Sequence, residues 1–273
     1  MKYLAMGDSF TEGVGDPHPL DDGSGDLVRG WADRLAADWS ATAPELRYAN
    51  LSVRGRLLQG ILDEQLGPAL DMRPDVVTLC AGGNDLIRPK ADIDDLAEGM
   101  ATMVDQLTGI GARVVMFTTL DTGNTPVFRL ARGRSAVYTE MLREIADRRD
   151  PGSVRLVDFW RAREYSDPRL WCFDRLHMNS RGHRRMARLV AAEIGTGTSA
   201  PANTADIDFT SPVTGPEEAV DGVSREWLRE FALPWVGRRV RGTSSGDGRT
   251  AKYPDWISAA ELADMYRAAG ARD

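Results

Sequence analysis

The sequence contains little of what disulfide-rich, metal-binding and membrane-spanning proteins need. Only two of its 273 residues are cysteines, Cys80 and Cys172, and their wide separation predicts reduced thiols rather than a disulfide framework. Three histidines without CxxC, HExxH or HxH spacing predict no metal site. No stretch approaches the ~20 apolar residues of a transmembrane helix, and the first residues lack the apolar region of a signal peptide. We therefore expect a cytoplasmic protein with no membrane span.

An excess of basic residues is also missing. The chain has 34 Lys and Arg against 41 Asp and Glu, a formal net charge of −7. Proteins that bind nucleic acid usually present a basic face, so nucleic-acid binding is not expected as the main activity. Apolar residues make up 42% of the chain, which is enough for one large α/β domain, or for a domain of about 200 residues with an appendage.

Short apolar runs alternate along the chain with longer amphipathic runs, which is typical of a doubly wound parallel sheet. The predicted strands are Lys2–Met6, Arg47–Asn50, Val76–Cys80, Arg113–Thr118 and Val154–Asp158. The predicted helices cover 30–39, 57–66, 93–109, 135–149 and 181–194. Asn179 and Ser180 are both suited to cap the last of these helices.

Four polar blocks follow these strands. They are Gly7-Asp8-Ser9, the stretch from Asn50 to Gly55, the stretch from Gly82 to Asp85, and Asp174-x-x-His177. Ligands of open α/β sheets bind beyond the carboxyl ends of the strands, so loops that are distant in sequence are expected to converge there.

The residue types in these blocks predict nucleophilic catalysis. Ser9 needs a base to take its proton, and His177 titrates in the right range, with Asp174 placed to orient its ring. Attack on a carbonyl creates an oxyanion, for which the amides of Ser9 and Gly55 and the side chain of Asn84 are candidate donors.

Each residue taken alone has a simpler interpretation. Asn84 after two glycines is typical of a turn, and Asp174 with His177 also suits a salt-bridged cap on the last helix. The blocks occur together and in order, each behind its own strand, and this favours catalysis. The other two histidines, His18 and His183, are predicted to be a loop residue and an exposed helix residue.

On the residues Ser9, Gly55, Asn84 and His177, with Asp174 in the acid position, the chain resembles the SGNH hydrolases, or GDSL-type esterases and lipases. The resemblance covers about residues 2–195. It implies a flavodoxin-like three-layer α/β/α fold with about five parallel strands in the order 2-1-3-4-5. It also implies hydrolysis of esters and thioesters through an acyl-enzyme, without a cofactor. The turn at 7–13 looks most like cytoplasmic actinobacterial members.

Two segments lie outside the core of that family. The polar loop 16–29 is interpreted either as part of the rim of the site or as a plain surface loop. After Gly195 we predict a linker at 196–217 and a C-terminal helical extension at 218–273, docked on the hydrolase domain 1–195 or serving a partner. A GxSxG match at 242–246 is interpreted as coincidence, because no histidine follows it.

The predicted function is that of a serine esterase or acyl hydrolase acting on small or medium acyl esters, with a small-molecule substrate and no cofactor or metal. Thioester hydrolysis and acyl transfer use the same triad and stay open, as does a non-catalytic binding role. Arg54 and Arg56 either solvate the surface or recognise an acidic substrate group. Pro126-Val127-Phe128 suits either the wall of an acyl pocket or the core. The oligomeric state cannot be read from the sequence.

Overall fold

A mainly parallel sheet forms the centre of the fold in the computed structural model, which describes residues 1–122, 128–196, 224–234, 237 and 244–270. The strands within these residues are β1 Lys2–Gly7, β2 Arg47–Asn50, β3 Val76–Cys80, β4 Arg113–Phe117, β5 Val154–Val157 and β6 Tyr253–Ser258. Their order is β5-β4-β3-β1-β2-β6, and only β6 is antiparallel to its neighbour. The order 2-1-3-4-5 and the α/β class are therefore confirmed, and β1 to β5 begin at the predicted residues.

Helices cover both faces of the sheet. The α-helices of the described residues are α1 Ser9–Glu12, α2 Gly30–Trp39, α3 Leu58–Ile61, α4 Gly67–Met72, α5 Gly83–Leu86, α6 Ile93–Gly109, α7 Arg132–Asp147, α8 Ser180–Ile194, α9 Arg225–Trp227 and α10 Ala259–Gly270. One apolar core packs α2, α8 and α10 against the sheet, and the other packs α3, α4, α6 and α7 against its opposite face. The result is the three-layer arrangement that the sequence predicts.

Capping side chains mark the first residues of two helices that follow strands. Asp92 accepts hydrogen bonds from the amides of Asp94 and Asp95 at the start of α6. Asn179 caps α8 in the same way through the amides of Arg181 and Gly182, as predicted. Among the described residues, no helix is long and apolar enough to cross a membrane.

The C-terminal part of the chain contributes a strand as well as helices. The strand β6 pairs with β2, and α10 packs on α2. Trp227 in α9 is buried with 1% of its surface exposed. The predicted linker 196–217, apart from Thr196, lies outside the described residues, and so do Trp235 and Val236. The domain limits at 195 and 217 stay a prediction.

Candidate active site

The first polar block lies at the carboxyl end of the central strand. β1 ends at Gly7, and Ser9 is the first residue of α1. Asp8 caps this short helix, because its Oδ1 accepts the amide of Phe10 at 3.0 Å. Ser9 is therefore held on a tight turn at the edge of the sheet where the other polar loops end.

Ser9, His177 and Asp174 form a continuous chain of hydrogen bonds. His177 Nε2 lies 3.1 Å from Ser9 Oγ, and His177 Nδ1 lies 2.6 Å from Asp174 Oδ2. The serine is 168 residues away from the histidine in sequence. The three predicted residues are thus brought together in the geometry that a serine nucleophile and its base require.

The turn from Asp174 to His177 orients the acid. Asp174 Oδ1 accepts the amides of Leu176 and His177, both at 2.9 Å, so Oδ2 is left to face the imidazole ring. Arg175 between them has a φ of +58°, a conformation that is uncommon for a residue other than glycine. Such conformations cost energy and are concentrated at functional sites.

The surroundings of His177 favour its charged form. Burial alone would lower the pKa of His177, but the Asp174 carboxylate and, more weakly, Asp8 raise it above its ordinary value. Burial opposes ionisation of Asp174 as well, yet His177 and two backbone amides lower the pKa of that carboxyl. A proton taken from Ser9 would therefore be well stabilised on the imidazole.

Asn84 connects the first block to Arg56, the residue that follows the second block. Its Nδ2 donates to Asp8 Oδ2 at 2.9 Å and to the carbonyl of Arg56 at 3.1 Å. Burial raises the pKa of Asp8 to about 6. The backbone amides of Ser9 and Gly55 donate to no acceptor among the described residues, and these residues are the sequence neighbours of Asp8 and Arg56, to which Asn84 donates. These are the donors that the sequence predicts for an oxyanion.

A cavity of about 170 Å³ opens beside Ser9 and His177. Its walls are mainly apolar and include Phe10, Leu86, Phe117, Phe128, Phe159 and Leu176. Phe128 thus lines the cavity, in agreement with its interpretation as part of the wall of an acyl pocket. Pro126 and Val127 lie outside the described residues. Within the described residues, no group of three or more His, Cys, Asp or Glu side chains is arranged to hold a metal ion.

Comparison with known proteins agrees with this geometry. Residues 5–185 match the model of the GDSL-like lipase/acylhydrolase family, which is well over half of the chain. The chain belongs to this family. It is therefore an ester-cleaving hydrolase by family, as the sequence predicts. No curated protein matches it in sequence.

Solved structures with low sequence identity share the fold of this acylhydrolase. LAE5, an α/β hydrolase enzyme from the metagenome of Lake Arreo, is 22% identical, with a TM-score of 0.59 over 72% of this chain and 96% of its own. Axe2, an acetylxylan esterase from Geobacillus stearothermophilus, is 22% identical, with a TM-score of 0.56 over 71% of this chain and 94% of its own. TesA is also 22% identical, with a TM-score of 0.54 over 71% and 98%.

Two buried side chains that position the site were missed by sequence reasoning. Gln65 accepts the amide of Gly7 at 2.9 Å and donates to its carbonyl at 2.8 Å, so it fixes the end of β1. Gln65 lies in a π-helical segment, Leu62–Leu66, which is a feature often found at functional sites. Glu12 binds Arg54 in the second block. The one sequence signal for this contact is a carboxylate at Glu12, in the short helix that carries Ser9.

His183 was wrongly predicted to be exposed. Its side chain is fully buried, with Nδ1 accepting the amide of Trp31 at 3.1 Å and Nε2 donating to the carbonyl of Val14 at 3.1 Å. The arginines around it in α8 give the segment a polar character, but the contacts that bury the ring come from the other end of the chain.

Two further interpretations are changed by the structure. Arg54 is buried against Glu12, and Arg56 pairs with Glu64 at 2.8 Å, so both arginines already have carboxylate partners and need no acidic substrate group. None of the residues 16–29 lines the cavity beside Ser9. That loop instead packs with the C-terminal segment, where Asp26 pairs with Arg249.

Proposed function

We propose that this acylhydrolase is a serine esterase that cleaves small or medium acyl esters through an acyl-enzyme. The observation that carries the proposal is the hydrogen-bond chain from Ser9 Oγ through His177 to Asp174, at the mouth of an apolar cavity. A positioned base, an orienting acid and a site for the acyl group are what acyl transfer through serine requires.

In the first half of the reaction, His177 Nε2 accepts the proton of Ser9 as its Oγ attacks the ester carbonyl carbon. Asp174 accepts a hydrogen bond from His177 Nδ1–H throughout and stabilises the imidazolium, but it takes no proton itself. His177 then gives the proton to the leaving alkoxide, and the acyl group stays on Ser9. In the second half water takes the place of the serine hydroxyl and releases the acid.

The oxyanion that forms in each half is assigned to the amides of Ser9 and Gly55 and to Asn84. Both N–H groups of the Asn84 amide already donate, one to Asp8 and one to the Arg56 carbonyl, so the side chain is held in place before substrate binds. One of these two hydrogen bonds is exchanged for the oxyanion as it forms. Preorganised donors of this kind contribute much of the rate, and loss of one typically costs about 10²–10³ in kcat.

The cavity supports the choice of acyl group. An engineered apolar cavity of about 150 Å³ accommodates benzene, so the volume beside Ser9 suits an acyl chain of roughly four to six carbons. The phenylalanine side chains that line it offer no hydrogen bonds to a polar acyl group. We therefore assign the acyl moiety to this cavity and the alcohol moiety to the open side of Ser9.

The test is a series of p-nitrophenyl esters from acetyl to palmitoyl, measured with the native protein and Ser9→Ala. We expect the highest kcat/KM at butyryl to hexanoyl, and a loss of at least about 10³-fold in the variant. Unchanged hydrolysis by a folded Ser9→Ala protein would refute the proposal. Thioester cleavage and acyl transfer share these steps, so acyl-thioester substrates and product analysis with a competing alcohol separate them from ester hydrolysis.

A further inference from the structure

The segment 244–270 lies outside residues 5–185, which match the family, and nothing in that match gives it a role. Its strand β6 pairs with both ends of β2, with Arg47 opposite Ser258 and Asn50 opposite Tyr253, and the register shifts between them. β2 leads directly into the loop that holds Gly55. The C-terminal segment therefore lies beside the loop that supplies one proposed oxyanion donor.

A turn of this segment rests on that loop. The turn is closed by the amide of Ser244, which donates to Asp247 Oδ2 at 2.8 Å. A Cβ atom added to Gly55 would lie 2.1 Å from Ser244 Oγ, and one added to Gly246 would lie 1.9 Å from the carbonyl oxygen of Arg54. The backbone of Gly246 is thus in direct contact with the Arg54 carbonyl, and the Ser244 side chain is in contact with Gly55.

This contact has a direct consequence for the donor. The carbonyl of Arg54 and the N–H of Gly55 belong to the same peptide plane and point in opposite directions. A group that fixes the carbonyl therefore fixes the direction of the N–H. Gly55 has a φ of +76°, and glycine has the backbone freedom that lets such a peptide rotate easily. The backbone of Gly246 packs against this carbonyl oxygen and limits its movement.

A second contact acts through the helix of the nucleophile. The Glu12 carboxylate, three residues after Ser9, accepts the backbone amide of Arg54 and binds its guanidinium, with Nε 2.7 Å from Oε1. The buried Lys252 Nζ donates to the carbonyl of Glu12 at 2.8 Å and to that of Arg29 at 2.6 Å. Lys252 Nζ also lies 3.0 Å from Asp33 Oδ2, so its charge is paired.

We infer that the turn 244–247 and Lys252 form a clamp that holds the peptide between Arg54 and Gly55 in the orientation needed to bind the oxyanion. The inference rests on the proposed function, because it assigns the clamp to one donor of that reaction. The clamp is a positioning element: none of its residues lines the cavity beside Ser9. It therefore supports the rate of the chemical step and contributes little to binding of the acyl group.

The test is Gly246→Ala, with Gly248→Asn as a matched control. The new methyl group meets a backbone oxygen, which no side-chain rotation relieves, so the turn must move away from the loop. Gly248 lies two residues further along, with a φ of +75° that asparagine tolerates and with nothing within 4 Å of an added Cβ. Both variants are titrated to completion with a fluorophosphonate, so that kcat is expressed per labelled site.

We expect Gly246→Ala to lower kcat per labelled site at least tenfold, up to the about 10²–10³ that follows loss of an oxyanion donor, while KM changes less than threefold. Gly248→Asn should match the native protein. Counting labelled sites separates this effect from partial unfolding, which removes sites but leaves the remaining ones fully active.

Asp247→Ala is the second variant. Asp247 is exposed, so its removal opens the turn without disturbing the core, and we expect at least a threefold fall in kcat per labelled site. If Gly246→Ala folds and its kcat per labelled site is unchanged, the clamp is overturned. If Gly246→Ala does not fold, an unchanged kcat per labelled site in Asp247→Ala overturns it. A Ser9→Ala protein with the same kcat as the native protein would overturn the proposed function, and the clamp with it.

Discussion

His177 is the residue whose protonation state controls the proposed reaction. It acts as a base only when neutral, and the charge of Asp174 holds its pKa above the ordinary histidine value of about 6.5. We therefore expect kcat/KM to rise with pH and to reach its plateau only above that value. A plateau already complete below pH 6 would contradict the assignment of His177 as the base.

The control for this pH profile is Asp174→Asn. Removal of the carboxylate charge should lower the pKa of His177 and shift the rising limb of the profile to lower pH. The plateau itself should fall by about 10³–10⁴, because the amide no longer orients the tautomer that accepts the serine proton. A fall in the plateau with no shift of the limb would mean that Asp174 acts only by orienting the ring.

His183 is a buried histidine that titrates in the opposite direction. Burial lowers its pKa to about 4, although Asp16 partly opposes this effect. In the unfolded chain the pKa of this histidine is about 6.5, so between pH 4 and pH 6.5 the unfolded state binds a proton that the native state does not. The stability that neutral His183 contributes is thus complete above pH 6.5 and is lost as the pH falls towards 4.

The measurement is the free energy of unfolding of the native protein and His183→Gln at pH 7.5 and 4.5. All other titrating groups are shared, so the difference between the two proteins isolates this residue. We expect the native protein to be the more stable at pH 7.5, and its advantage to shrink by about 2–3 kcal/mol at pH 4.5. An advantage that does not change with pH would show that His183 is not held neutral.

At the scale of elements, the C-terminal strand and helix complete the core of the hydrolase. Asp33 in α2 is fully buried and accepts from Tyr48 at 2.8 Å and from Tyr266 at 2.7 Å. With Lys252 also beside it, two of these three partners come from the C-terminal segment. A buried carboxylate that loses such partners is strongly destabilising.

Removal of residues 244–273 tests this role. Tyr266 and Leu262 are more than 90% buried, and loss of their burial alone corresponds to about 3–6 kcal/mol, a large part of the stability of an ordinary domain. We expect a truncated protein that is poorly soluble or melts far below the native one. A soluble truncated protein with full esterase activity would separate the segment from both folding and catalysis.

The same elements show where sequence reasoning reaches its limit. β1, β3, β4 and β5 are short, mainly apolar runs, and all five strands alternate with longer amphipathic runs, so their starts could be predicted. β6 has the sequence YPDWIS, in which proline and aspartate disfavour a strand. It forms because an edge position next to β2 tolerates both residues, and that pairing joins segments about 200 residues apart.

At the scale of the whole molecule, the residues of the site were predictable because their chemistry is local to each block. Ser9, Asn84 and His177 each follow a strand, and parallel topology alone brings such loops to one edge. The side chains that support them were not predictable, because Gln65, Glu12 and Lys252 act through backbone atoms of distant segments. Their partners are defined only by the folded chain.

In the proposed reaction Ser9 is the nucleophile and His177 is its base. Fluorophosphonate labelling of the native protein, Ser9→Ala and His177→Ala, followed by mass spectrometry of the peptides, tests it most directly. We expect one label per native molecule, on the peptide that contains Ser9, with no label on Ser9→Ala and labelling slowed at least about 10²-fold in His177→Ala. A label on another serine such as Ser244, or full labelling of Ser9→Ala, would contradict the account.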